Sequence, residues 1–334
     1  MPAPATNPPS RTIIAGIDEA GYGPLLGPLV VTATAFEVPT AASEACLWDT
    51  LSSVVAVRSK QRDARLVVAD SKKLYHGPDD LWRLELPVLA MLATAGRRPK
   101  RLPGLLGVLC PQAGDDLATQ PWYAGPDTPL PLSVSADRLA LQAQALGRGM
   151  KRHGVRLAGV WSELLPADRF NRLVAATGNK SVVLMGCTLR LVQRIAMSVG
   201  SASVRFVIDK QGGRCRYRRP LLTAFEDRPL RIVAENAEVS AYRLSGPDGG
   251  AAGTWHIEFL KNGERHHLPI ALASMVSKYL RESLMLQFNA FWQRHVPDLV
   301  PTAGYYTDAR RFLRQIAGTA RELRIDRAAL VRSR

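Results

Sequence analysis

Short apolar runs alternating with amphipathic segments predict a mixed α/β domain with a helical C-terminal part. Three observations carry this reading. Residues 13–17 and 29–36 are strand-length and apolar, and the Gly- and Pro-rich stretch between them suits a hairpin. Residues 204–208 form a third strong apolar run, preceded by a helical periodicity over 184–199. Residues 268–294 hold the longest helical pattern, with Val276, Tyr279, Leu280, Leu284, Phe288 and Phe291 on one face as core packing.

The elements follow in order. Residues 1–11, rich in Pro and Ala, read as a flexible tail with none of the charge and apolar pattern of a signal peptide. The strands at 13–17 and 29–36 come next, the second ending at Pro39, and then helical character over 41–51. A short apolar run at 66–69 leads into Asp70-Ser71-Lys72-Lys73-Leu74, where a capping residue and two lysines suit a phosphate-facing loop. A helix starts near Pro78 and runs to about Thr94, with Pro87 as a kink site. From Arg97 to Thr128, Pro, Gly and Asp are dense, and the stretch reads as a long inserted loop. A helix over 136–150, capped by Ser133 or Ser135, precedes a strand at 155–160 and helices at 166–175 and 184–199. After 204–208, strands are expected at 231–234, 239–244 and 255–260. The last helix spans about 309–318. The whole is read as one catalytic domain over 12–320, with an insertion at about 97–152 and an extra β-hairpin at about 230–262. Residues 321–334 read as a basic tail.

Composition narrows the function. The chain has 44 Lys plus Arg against 29 Asp plus Glu, a formal +15, which favours a polyanionic partner such as nucleic acid. No stretch is read as long and apolar enough to span a bilayer, so no membrane partner is expected. Cys46, Cys110, Cys187 and Cys215 are scattered without C-x-x-C spacing, which argues against zinc and a disulfide framework and fits a reducing cytoplasm.

Against that basic background, the acids stand out. The apolar run at 13–17 delivers Asp18 and Glu19 into the turn Ala20-Gly21-Tyr22-Gly23-Pro24, and the run at 204–208 delivers Asp209. Adjacent strand residues face opposite ways, and a break at 20–23 could let Asp18 and Glu19 approach one site. Glu264 follows the last strand as a candidate fourth acid. Buried carboxylates that meet repel unless a cation joins them. An oxygen-only set suits Mg²⁺ or Mn²⁺, and two such ions serve phosphodiester hydrolysis. The sequence contains no phosphate-loop, G-x-S-x-G or H-E-x-x-H pattern. His266 and His267, beside Glu264, could ligate a metal or shuttle a proton, but the favoured reading is exposed loop residues.

These segments resemble the ribonuclease HII family of the ribonuclease H superfamily. Residues 16–28, Gly-Ile-Asp-Glu-Ala-Gly-Tyr-Gly-Pro-Leu-Leu-Gly-Pro, are similar to its G-I-D-E-A-G-R-G-P-L-A-G-P opening. Residues 70–74 match D-S-K-K-L. Residues 207–209 fall where a third acid ends a strand, residues 272–278 resemble the A-A-S-I-L-A-K helix, and residues 304–307 resemble the G-Y-G-T turn. Glu264 lies ten residues before the Ser of that helix motif, where the family carries its fourth acid. The resemblance implies a ribonuclease H-like mixed sheet flanked by helices. It implies two-metal cleavage, with Mg²⁺ or Mn²⁺ on Asp18, Glu19, Asp209 and Glu264. The substrate would be the RNA strand of an RNA/DNA hybrid or ribonucleotide-containing DNA, cut by a monomer to leave 3′-hydroxyl and 5′-phosphate ends. In this scheme Gly21, Tyr22 and Gly23 contact the ribose 2′-hydroxyl, Tyr305 stacks on the sugar at the RNA–DNA junction, and Lys72 contacts phosphate. Tyr22 stands where the family has arginine, so that charge is absent. Two other readings remain open: a nuclease of the same superfamily acting on branched or structured nucleic acid, and a non-catalytic nucleic-acid-binding protein.

Overall fold

The structure, a computed structural model, describes residues 11–58, 63–124, 127–200, 202–246 and 253–333. The expected tail at 1–11 therefore lies outside the described residues except for its last residue. The strands are β1 Arg11–Ala20, β2 Leu29–Pro39, β3 Val55–Ala56, β4 Leu66–Val67, β5 Arg156–Leu165, β6 Val204–Asp209, β7 Leu230–Glu235, β8 Val239–Leu244 and β9 Trp255–Leu260. Seven of them form one mixed sheet in the order β5-β2-β1-β6-β9-β8-β7, while β3 and β4 make a separate parallel pair. β1, β6 and β9 are parallel neighbours, and the antiparallel pairings of β2 with β1 and β5 extend one side. The β7–β8 hairpin extends the other. This is the mixed, helix-flanked sheet that the alternating pattern predicts.

Side-chain alternation gives the sheet two apolar faces. Ile13, Ala15 and Ile17 pack with Phe206 and the helix Lys180–Val199 on one face. Ile14, Val30 and Phe36 pack on the other with the helix Leu81–Thr94 and the long helix Leu268–His295. A third cluster joins Leu26, Phe288 and Trp292 to Phe312 of the helix Tyr306–Gln315.

Several expectations are corrected. Residues 97–128 are not one long loop: Leu102, Leu105 and Leu109 share a buried face on the helix Leu102–Leu109, and a short helix Gly114–Ala118 follows. The stretch that follows residue 128 is tied to the core through Glu85, whose carboxylate accepts from the backbone N–H groups of Leu132, Ser133 and Val134 and from the Tyr279 hydroxyl. Residues 41–51 hold only a 3₁₀ turn, Thr40–Ala42, and one helical turn, Leu47–Thr50, because the buried apolar side chains there are confined to Leu47, Trp48 and Leu51. The Asp70–Leu74 segment is a helical turn, Ser71–Leu74, capped by Asp70, whose Oδ1 accepts from Lys72 N at 3.0 Å. Beyond β6, Arg214, Arg216, Arg218 and Arg219 lead into a helix, Arg218–Ala224, which the expected elements did not include.

The end of the chain is not a tail over its described part. Leu330 and Arg332 are buried, and the Asn171 amide donates to the carbonyls of Ala328 and Val331. Finally, Lys180–Val199 is long and apolar enough to cross a membrane, with a mean hydropathy of 1.5, contrary to expectation. In this fold its Val183, Leu184, Leu191 and Ile195 pack against the sheet.

Candidate active site

Parallel strands run in the same direction, so β1, β6 and β9 end at one edge of the sheet. β1 carries Asp18 and Glu19 in its last three residues, and β6 ends on Asp209. The chain leaving β9 turns through Gly263–Arg265 and presents Glu264. Register aligns Ile17 with Ile208 and Asp209 with Leu260, which sets the acids side by side. The turn is fixed by an acid itself: Asp209 Oδ1 accepts from Gly263 N at 2.8 Å. The break expected at 20–23 is there, since β1 ends at Ala20 and a turn follows, while both acids still lie within the strand. Asp18 curls back so that its Oδ1 accepts from Glu19 N at 2.8 Å, and the strand continues to Ala20.

Electrostatics shows the acids acting on one another. Burial, then Glu19 and Glu264, hold the Asp18 carboxyl well above its ordinary range. Glu19 is pushed up to about 7 by burial and Asp209. Asp209 is pushed up to about 8 by burial, Asp18 and Glu264. Lys72 faces this cluster. Burial opposes its charge, but Asp18, Glu264, Asp70 and Asp209 together raise its pKa, and Lys72 in turn restrains the rise at Glu19. As they stand, no three His, Cys, Asp or Glu side chains among the described residues close tightly enough to hold an ion. Mutual repulsion of like charges opposes such closure. The donor set nonetheless fits a hard divalent cation: it is all oxygen, and Glu264 Oε2 is buried with no hydrogen-bond partner among the described residues.

Serines position the acid at the centre. Ser71 Oγ and Ser274 Oγ are 2.9 Å apart, and the Ser274 side chain hydrogen-bonds Asp18 and lowers its pKa. Ser277 Oγ donates to the Asp18 carbonyl at 3.2 Å. The long helix is thereby tied to both the Ser71–Leu74 turn and β1.

The glycine turn and the Tyr305 turn form a second unit. Leu25 N and Leu26 N donate to Gly304 O at 2.8 and 3.2 Å. Between them lies Arg281, buried, with Nη1 on Glu282 at 2.7 Å and Nη2 donating to the carbonyls of Ala303 and Leu26. Gly21 and Gly304 have φ of +85° and +83°. A Cβ on Gly21 would come within 2.5 Å of Pro28 O and 2.9 Å of the Arg281 side chain, and one on Gly304 within 2.6 Å of Leu26 O. Tyr305 follows, half exposed at 52%. Tyr22 is half-buried. Its hydroxyl pKa is raised by burial and Glu19, while Arg214 opposes the rise, and Lys180 Nζ sits 5.1 Å from its ring centroid. Gly23 is exposed.

The structure thus brings Asp18, Glu19, Asp209, Glu264 and Lys72 into one electrostatic cluster. Gly21, Tyr22, Gly23 and Tyr305 lie on the adjoining turns. His267 does not join the cluster: it is half-buried, and burial, then Arg205 and His266, push it down to about 4, while His266 is exposed as expected. Sequence reasoning missed Arg281 as the brace between the turns, since it sits within a helix read as core packing. It also missed the positioning of Asp18 by Ser274 and Ser277, whose only signal was their place in the helix motif.

No protein-family model matches this chain, and no curated protein matches it. Solved structures that resemble it include the PCNA:RNase HII complex from Archaeoglobus fulgidus, at 15% identity and a TM-score of 0.42, over 96% of this chain and 94% of that one. Ribonuclease H2 from Pyrococcus horikoshii OT3 is 10% identical with a TM-score of 0.42, over 95% and 92%. Bst-RNase HIII in complex with Mn²⁺ is 15% identical with a TM-score of 0.38, over 91% of this chain and 62% of that one. At these scores the likenesses add no argument about chemistry, for which the carboxylate cluster is the ground.

Proposed function

We propose that this protein is a divalent-metal-dependent endonuclease that hydrolyses the RNA strand of RNA/DNA hybrids or ribonucleotide-containing DNA, leaving 3′-hydroxyl and 5′-phosphate ends. The observation that carries the reading is the meeting of Asp18, Glu19, Asp209 and Glu264 at the shared end of β1, β6 and β9, facing Lys72. A protein that only bound polyanions would gain nothing from buried, mutually repelling carboxylates. Mg²⁺ or Mn²⁺ bound by these four acids would supply charge stabilisation and an acidified water for phosphodiester hydrolysis.

The chain's own groups have separable roles. Asp18 is held in place by Ser274 and Ser277. Lys72 offers a fixed positive charge to the phosphate at the scissile bond. The backbone of Gly21–Gly23 meets the 2′-hydroxyl, the group that separates RNA from DNA. Tyr305, exposed on a turn that is hydrogen-bonded to residues 25 and 26, stacks on the sugar beyond the cut.

The test is cleavage of a hybrid labelled on its RNA strand, with Mg²⁺, Mn²⁺ or chelator. Internal RNA cuts with 3′-hydroxyl ends are expected from the wild type with either metal. Chelator abolishes them, and so does Asp18→Asn. Cutting that persists undiminished in Asp18→Asn removes the carboxylate centre from the mechanism.

A further inference from the structure

Beside the acids lies a site of the opposite charge. A cavity of about 330 Å³ is lined by Tyr22, Pro24, Phe170, Lys180, Tyr306 and Arg332, among others, and the charged side chains lining it, Lys180 and Arg332, are both cations. Lys180 opens the helix Lys180–Val199, whose cap Asn179 accepts from Ser181 N at 2.8 Å, so the positive end of a twenty-residue helix lies beside the cavity. Arg214 adds charge at this helix start, its Nη2 lying 3.2 Å from Ser181 Oγ.

The second observation is independent of the helix. Arg332 is only 3% exposed, yet its Nε and Nη1 have no hydrogen-bond partner among the described residues. Its Nη2 donates to Pro24 O, its backbone N–H donates to Leu25 O at 2.9 Å, and its guanidinium lies over Phe170. Burial and nearby Arg281 push its pKa down to about 9. A buried guanidinium without an anionic partner is costly. An anion in the adjoining cavity would relieve it, and a guanidinium and an ammonium together suit a phosphate.

We propose that this cavity is a phosphodiester subsite, gripping one backbone phosphate of the nucleic acid that lies across the carboxylates. Its position deepens the nuclease reading and rests on it: Tyr22 touches both regions, feeling Glu19 on one side and Lys180 on the other. The grip supplies affinity and register without reading sequence.

The test uses Asp18→Asn protein, so that bound strands stay intact, and measures the affinity for a labelled hybrid and for a DNA duplex across a salt series. Lys180→Ala and Arg332→Met are each expected to weaken binding about three- to tenfold and to lower the salt slope by roughly 0.9, the value of one phosphate contact. Their combination lowers it by no more than that, because both meet the same phosphate. Arg332→Met also removes a brace on the glycine turn, so Lys180→Ala is decisive: an unchanged slope in that variant overturns the proposal. If inorganic phosphate raises the melting temperature of the wild type but not of Lys180→Ala, while the slope on strands is unchanged, the cavity takes free phosphate and the strand contact is overturned. The two readings fail separately. Slope loss on the DNA duplex without hybrid cleavage by the wild type keeps the subsite and ends the nuclease reading, whereas cleavage with unchanged slopes does the reverse.

Discussion

Two neighbouring regions of this protein hold charge under strain, and they do so with opposite signs. At the strand ends, Asp18, Glu19 and Asp209 are pushed towards their protonated forms by burial and by one another. Against the turns, Arg281 and Arg332 are buried, each with a side-chain nitrogen that has no hydrogen-bond partner among the described residues, and Arg332 is pushed towards deprotonation. The acids of β1 and β6 are fixed by strand register, whereas Arg281 sits within the long helix and Arg332 follows the last helical turn, so the cations are gathered from distant parts of the sequence. On the proposed reading, the first region serves cations and bond cleavage and the second holds a phosphate in register. Tyr22 lies where the two meet.

The largest effect that sharpens this contrast is at the acids. Asp209→Asn is predicted to lower kcat on a hybrid by about a thousandfold or more, the scale of losing a preorganised charged group, with KM changed only a few-fold. A loss confined to KM would move Asp209 from the acidic to the gripping region. Gly304→Ala comes next. Its positive φ and the approach of Leu26 O at 2.6 Å predict a destabilisation of about 2–4 kcal/mol, measured by denaturant unfolding. An unchanged midpoint would mean that the two turns are not locked together.

A pH series separates the regions further. Cation binding must displace protons from Glu19 and Asp209, so metal-dependent cleavage is predicted to fall roughly tenfold per unit between about pH 8 and 7 and more steeply, towards a hundredfold per unit, below about 7. For stability in chelator the sign follows from the same shifts. Both folded-state values lie above the ordinary carboxylate range, so the acids' contribution is fully present below about pH 4 and is lost as pH rises to about 8. Asp209→Asn is therefore predicted to melt a few degrees higher than the wild type in chelator at pH 9, checked by thermal unfolding; a lower midpoint contradicts the strain assigned to that carboxylate. Tyr305→Ala has the smallest predicted effect on cleavage, about three- to tenfold in kcat/KM, because one exposed stacking contact is lost.

The acidic region was readable in the sequence because each of its acids follows an apolar run, and strand ends are local features. Asp18, Glu19 and Asp209 needed only that pattern, while Glu264 needed the spacing to the helix motif as well. The cationic region was not readable, because its parts come from residues 21–28, 180, 214, 281, 304 and 332 and meet only through tertiary packing. Arg281 sits among apolar helix positions that drew attention to the core instead. Arg332 follows so many basic residues that it looked like part of a solvated tail. Dense Pro, Gly and Asp at 97–128 likewise masked the periodic Leu102, Leu105 and Leu109. Strands β8 and β9 matched their expected ranges, as alternation predicts for half-buried strands. Lys180–Val199 began a turn earlier than its apolar pattern, since its first residues, Lys180 and Ser181, face the turns and not the core.

The central claim is that the four carboxylates hold divalent cations, and calorimetric titration of Mn²⁺ into the protein tests it most directly. The wild type is predicted to bind Mn²⁺ at pH 7 with release of protons, seen as a heat that varies with the ionisation enthalpy of the buffer, and Asp209→Asn to lose most of that binding. Absence of Mn²⁺ binding by the wild type, or equal binding by Asp209→Asn, would contradict it.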